Sequence, residues 1–119
     1  MKKTIKIGSK EILFKSSAAI PRLYRIKFRR DIFQDFMQLE KEFKKNKGGK
    51  GSMSIPSLEI FENVAYLMSK HADPTQPNNV DEWLSQFEFL DIYTVLPEIL
   101  KLWNLDNQTL SRSKKNNKK

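Results

Sequence analysis

The chain has 119 residues, 39% of them hydrophobic and 30% charged, with no cysteine and a single histidine, His71. That length suits one domain with a real apolar core, while the lack of cysteine excludes disulfides, thiol catalysis and Cys-ligated zinc, and one histidine leaves few ligands for a structural zinc site. The net charge of +8 is unevenly spread: residues 1–51 carry fifteen Lys/Arg against five Asp/Glu (+10), residues 52–111 two against nine (−7), and residues 112–119 five against none (+5). Such polarity serves a nucleic-acid face, or attraction between basic and acidic segments within one fold or between neighbouring copies. Apolar runs fall far short of the roughly 18 residues needed to cross a bilayer, and the N-terminus alternates where a signal peptide would be continuously apolar. A soluble, intracellular protein is the expectation.

Residues 4–7 (TIKI) and 11–15 (EILFK) are short, apolar-rich and separated by Gly8-Ser9-Lys10, which predicts a β-hairpin. Two strands alone are marginal in water, so the hairpin must lie on helices or pair with another sheet or subunit. Pro21 suits the first turn of a helix ending near Arg30. At about 100° per residue Ile20, Leu23, Tyr24 and Phe28 share one side of it, while Arg22, Arg25 and Arg29 line the other with Lys27 and Arg30 nearby. Asp31 is placed to cap a second helix with the inward stripe Ile32, Phe36, Leu39 and Phe43. Phe33 and Met37, four residues apart, lie off that stripe with Lys41 and Lys44 beside them.

The glycine- and lysine-rich residues 44–54 (KKNKGGKGSMS) predict a mobile internal loop, after which Pro56 restarts a helix. From Leu58 to Ala72 apolar residues cover about half of the helix circumference, the breadth of a central helix touched from two sides. Pro74 and Pro77 end it. Asn79 followed by Glu82 resembles a capping box for a short helix carrying Trp83, Leu84 and Phe87. Asp91 is placed to cap a last helix, IYTVLPEILKLW, in which Pro97 requires either a separate first turn or a bend. Asn104 is a candidate C-cap, and SRSKKNNKK beyond it has the composition of a disordered tail. The expected architecture is α+β and mainly helical: an N-terminal hairpin packed on about five helices over residues 1–110, then a disordered basic tail over residues 111–119.

Chemistry finds little to work with. His71 shares the apolar arc of its helix with Ile60, Val64 and Leu67, close to a negative helix end that favours it, and no second histidine, cysteine or nucleophile turn accompanies it. Asp81 and Glu82 read as first-turn acids of their helix. The segment GGKGS, residues 48–52, lacks the spacing and the preceding strand of a P-loop. No catalytic, metal or cofactor residues are therefore expected, and the chain reads as a non-enzyme. The row Arg22, Arg25, Arg29 fits a phosphate backbone, making a small nucleic-acid-binding protein the alternative, but no aromatic residues alternate with it as stacking platforms. For Phe33, Met37, Lys41 and Lys44 two readings stand: the domain wraps this helix on more than one side, or the strip receives another helix.

The order of these motifs resembles the small tail assembly chaperones of long-tailed siphophages and prophages of Gram-positive bacteria. The resemblance lies in the hairpin IKIG-K-ILFK, the segment A-x-P-R-x-Y-R-x-x-F-x-RD from Ala19 to Asp31, LEIFENVAYLMSKHADP, W-L-x-x-F from Trp83 to Phe87, and IYTVLPEILKLW. It covers roughly residues 4–110 and departs from the pattern at the Gly-Lys loop and at Arg29, where glycine is expected before the Arg-Asp pair. It implies a protein that binds the tape measure protein reversibly in the host cytoplasm until tail tube subunits polymerise around it, and that is not retained in the mature virion. Self-association along the client would draw on the polarised charge. The family pattern also implies a longer form made by ribosomal frameshifting near the end of the short one, where KKNNKK suits slippery A-rich codons.

Overall fold

The computed structural model describes residues 2–45, 54–88 and 90–103. Two antiparallel strands, β1 (Lys2–Ile7) and β2 (Lys10–Lys15), open the chain and pair from Lys2↔Lys15 to Ile7↔Lys10. This register fixes which side chains face inward, because alternate residues of a strand point to opposite faces. Ile5, Ile7, Ile12 and Phe14 are buried, while Lys2, Lys6 and Lys10 stay in solvent.

The hairpin turn holds the first close approach in the fold. Gly8 takes φ 63°, and a Cβ placed there would stand 2.5 Å from the Asp91 Oδ2 atom. Glycine answers both constraints, since it alone adopts positive φ without steric cost and leaves room for the carboxylate. Gly8→Ala is accordingly expected to destabilise the fold by about 1–3 kcal/mol. Thermal unfolding checks this, and adding Asp91→Ala should restore part of the loss by removing the clash but not the backbone strain.

Helix α1 (Ala19–Phe28) buries Ile20 and Tyr24 and packs Leu23 and Phe28 at the edge of the core. It stops earlier than expected because Arg29 turns into the left-handed region at φ 59°, its N–H closing on the Arg25 carbonyl. Helix α2 (Ile32–Lys45) begins as predicted, with Asp31 Oδ1 accepting from the Phe33 N–H at 2.9 Å. Its residues Ile32, Phe36 and Leu39 are buried and Phe43 is partly so. Helix α3 (Ile55–Ala72) is capped by Ser54, whose hydroxyl accepts from the Ser57 N–H. Glu42 of α2 accepts in turn from the Ser54 N–H and hydroxyl at 2.8 and 2.7 Å, tying the end of α2 to the start of α3. These contacts hold the Glu42 carboxyl below its usual range, the Ser54 backbone bond contributing most. The predicted loop otherwise lies outside the described residues, as do GGKGS, Asn104 and the predicted tail.

Helix α3 is the central element: β2, α1, α2 and a short helix α4 (Val80–Leu84) all pack on it. That is why the sequence reads as apolar around so much of its circumference, with Ile60, Phe61, Val64, Ala65, Tyr66, Leu67 and Met68 all buried. Asn79 caps α4 by accepting from the Glu82 N–H at 2.8 Å, so half of the expected capping box is present. Phe87 lies beyond the end of α4 rather than on it, yet its ring still packs edge-on to Trp83 at 5.1 Å. Asp91 does not cap the final helix. Residues Asp91–Val95 form a separate 3-10 turn, and regular helix α5 starts at residue 96, one residue before Pro97, and is described as far as residue 103. A proline at the second helical position forfeits no internal bond, so of the two arrangements open to this sequence the separate turn is the less strained.

Candidate partner-binding surface

The elbow between α1 and α2 is set by a polar cluster that hydropathy periodicity alone does not reveal. The Tyr24 hydroxyl donates to Asp35 Oδ2 at 2.7 Å, while Arg30 Nε and Nη2 reach Oδ2 and Oδ1 at 2.6 and 2.8 Å. The Asp35 side chain is 7% exposed and that of Arg30 is 55% exposed, so the guanidinium closes the cluster from the solvent side. Arg30 chiefly, and Tyr24 also, hold the Asp35 carboxyl below its ordinary range against the cost of burial. Burial and then the Asp35 carboxylate push the Tyr24 hydroxyl far above its usual value. Two opposed pressures thus meet in one site, and both are satisfied by direct hydrogen bonds.

Locking the inner side of α2 in this way leaves its outer side as a platform. Phe33 is 48% exposed and Met37 64%, and Lys41 and Lys44 are exposed one and two turns further on. The Phe33 ring packs against Trp103 of α5 at 5.6 Å, and Trp103 is itself buried against Phe36 at 4.8 Å. Among the described residues this side of α2 is left largely uncovered. Ile26, Ile55 and Leu90 are also exposed, each on a different segment.

Arg22, Arg25 and Arg29 all lie in solvent, and none makes an ion pair among the described residues. Arg29 is the unusual member, being the only described non-glycine residue with positive φ. Holding a non-glycine residue there costs roughly 1 kcal/mol relative to glycine. Arg29→Gly is expected to raise stability by about 0.5–1 kcal/mol, readable as an increase in Tm of a few degrees.

No protein-family model, curated protein or solved structure matches this chain.

His71 sits half-buried in the last turn of α3, its Nε2 3.0 Å from the Ser17 Oγ atom, which also accepts from the Ala19 N–H. Burial, with a smaller contribution from Lys15, lowers its pKa. Through its contact with Ser17 the ring joins the β2–α1 loop to α3. Asp73 is engaged by Thr75 and Gln76, and Lys70 donates to the Pro74 and Gln76 carbonyls and to Asn78 Oδ1. These bonds, with Tyr66 donating to the Pro77 carbonyl at 3.0 Å, shape the loop between α3 and α4. Among the described residues no three His, Cys, Asp or Glu side chains are grouped to hold a metal ion, and no helix is long and apolar enough to cross a membrane.

The oppositely charged halves of the sequence meet within the fold at Lys3 and Glu98, 2.6 Å apart across β1 and α5. Both side chains are over two-fifths exposed, so this contact contributes little to stability. Among the described residues Lys2, Lys6, Lys10, Arg22, Arg25 and Arg29 are exposed and make no ion pair.

Proposed function

We propose that this chain is a non-enzymatic tail assembly chaperone that binds the tape measure protein and keeps it soluble until the tail tube polymerises around it. The observation that carries the reading is the outer strip of α2, where Phe33 and Met37 stand in solvent on a helix whose inner side is fixed by the core and the Asp35 cluster. A long helical client presents apolar stripes that aggregate when uncovered, and a rigid strip with one aromatic and one adaptable thioether side chain covers such a stripe.

The strip is also the right strength for a contact that must later be broken. Fully burying a side chain of this size contributes about 1.5–3 kcal/mol, and both are already partly covered. Their combined contribution is below the roughly 4–15 kcal/mol lost when two free molecules associate. One contact is therefore weak, and retention of a client depends on charge and on repeated engagement along it.

Co-expressing the tape measure protein with and without this chain tests the reading. Tape measure protein that is soluble only with the chain supports it, while equal solubility in both cases overturns it. An upstream major tail protein gene and a very long downstream reading frame would support it further.

The second reading, nucleic-acid binding, is favoured by Arg22, Arg25 and Arg29, which are exposed and make no ion pair among the described residues. It predicts mobility shifts of duplex DNA that weaken with salt and with Arg→Ala changes in that row. It does not explain why Phe33 and Met37 are left in solvent.

A further inference from the structure

We propose that the segment seated on α2 is an acidic amphipathic helix, held by apolar contact with Phe33 and Met37 and by carboxylates at the two cationic ends of the strip. Arg29, in the turn four residues before Phe33, supplies the cation at one end, and Lys41 with Lys44 those at the other. The inference rests on the chaperone reading for the surface used, and adds the chemistry of the partner.

Two adjacent guanidiniums at the elbow have different occupations. Arg30 is committed to Asp35 through two hydrogen bonds, whereas Arg29 is exposed without an ion pair among the described residues. Arg29 also occupies a left-handed position that glycine fills more easily. A side chain kept at such a position, with no ion pair among the described residues, is placed to meet an anion from outside.

Residue spacing places the other contacts in line. At about 100° per residue, Phe33, Met37 and Lys44 fall within about 40° of one another, and Lys41 lies about 40° beyond Met37. Two acids border the strip among the described residues, Asp31, exposed and accepting from the Phe33 N–H, and Glu40, half-buried at the inner border; Arg29, Lys41, Lys44 and Lys45 outnumber them. From Phe33 to Lys44 the helix advances about 16 Å, a footprint of roughly three turns of a partner helix. Arg29 precedes Phe33 by four residues, at most about 14 Å of chain. A helix with apolar residues at i and i+4 and carboxylates about one to two turns to either side matches this order. Duplex DNA would meet the cations but leave Phe33 and Met37 without an apolar counterpart.

The test uses the full chain and a labelled helical peptide of about eighteen residues, with Leu at i and i+4 and Glu at both flanks, followed by fluorescence anisotropy at about 50 and 300 mM salt. Binding is expected to fall with salt, and to be lost when the peptide leucines become Ser or its glutamates Lys. Arg29→Gly should weaken it about two- to five-fold while raising Tm, and adding Lys41→Ser and Lys44→Ser should bring the loss beyond about tenfold. The proposal is overturned if Arg29→Gly binds as the parent does, if the Lys peptide binds as well as the Glu peptide, or if duplex DNA displaces the Glu peptide at lower concentration. Retention of the tape measure protein by parent and Arg29→Gly alike would sink this inference and leave the chaperone reading standing. Peptide binding as described, with no retention of tape measure protein by the parent, would sink the chaperone reading alone.

Discussion

Trp83→Ala is expected to cost about 3–5 kcal/mol. The indole is fully buried and stands edge-on to three rings, Phe14 of β2 at 6.3 Å, Tyr66 of α3 at 5.9 Å and Phe87 at 5.1 Å. Its Nε1 donates to the buried Ser69 Oγ at 3.1 Å. Truncation therefore opens a cavity where the hairpin, the central helix and the α4 segment meet, and strands a hydroxyl. Since domains of this size are stable by about 5–15 kcal/mol, a large part of the total is at risk. Trp83→Phe should lose less, because ring contacts survive while the hydrogen bond does not. Urea unfolding with an unchanged slope checks both variants, and a loss below about 1 kcal/mol for Trp83→Ala would show that the three elements do not depend on this contact.

The second large effect is expected at the elbow. Asp35→Ala leaves the Tyr24 hydroxyl buried without its acceptor and removes the two bonds from Arg30. A stranded buried donor costs about 1–3 kcal/mol, whereas Arg30, more than half exposed, regains water, so its share is discounted. The net expectation is a loss of about 2–3 kcal/mol at neutral pH. Tyr24→Phe should lose about 1 kcal/mol, and the double variant less than the sum, because both changes break the same bond. The sign of the pH dependence follows from the depressed Asp35 pKa. Its stabilising contribution is complete above the ordinary carboxylate value, near pH 4, and is lost as pH falls through the lower value it has in the fold. The stability gap between parent and Asp35→Ala should accordingly be widest near neutrality and narrow in acid. A gap independent of pH would contradict the ionised pairing.

Periodicity made most of this architecture legible before the structure. The hairpin, the stripe Ile32, Phe36, Leu39 and Phe43, the breadth of α3 and the Asn79 cap all follow from local spacing, because burial and capping act over a few residues. Phe33 and Met37 stood out as surplus to a one-sided helix, but spacing along one helix left open whether another element covers them. Long-range polar pairing was not visible. Tyr24, Arg30 and Asp35 meet only once two helices fold back on each other, although an acid about 60° from Ile32, at the margin of a buried arc, was a signal that the carboxylate would need a partner. Asp91 misled for a related reason: its position invites a helix cap, but the Gly8 turn brings the hairpin against its carboxylate. The resemblance led to an expectation of glycine at position 29, and the backbone there has the conformation that glycine suits, with arginine in its place.

The exposed strip of α2 is tested most directly by measuring retention of the tape measure protein on the parent chain and on Phe33→Ser/Met37→Ser, with Tm recorded for both. Met37 is mostly in solvent and Phe33, half-exposed, packs tilted against Trp103, so the double change should cost about 1–2 kcal/mol and leave the chain folded. The expected result is a folded variant that no longer retains the client. Undiminished retention by the folded variant, or a parent chain that ignores the tape measure protein, would contradict the assignment of this surface as its binding site.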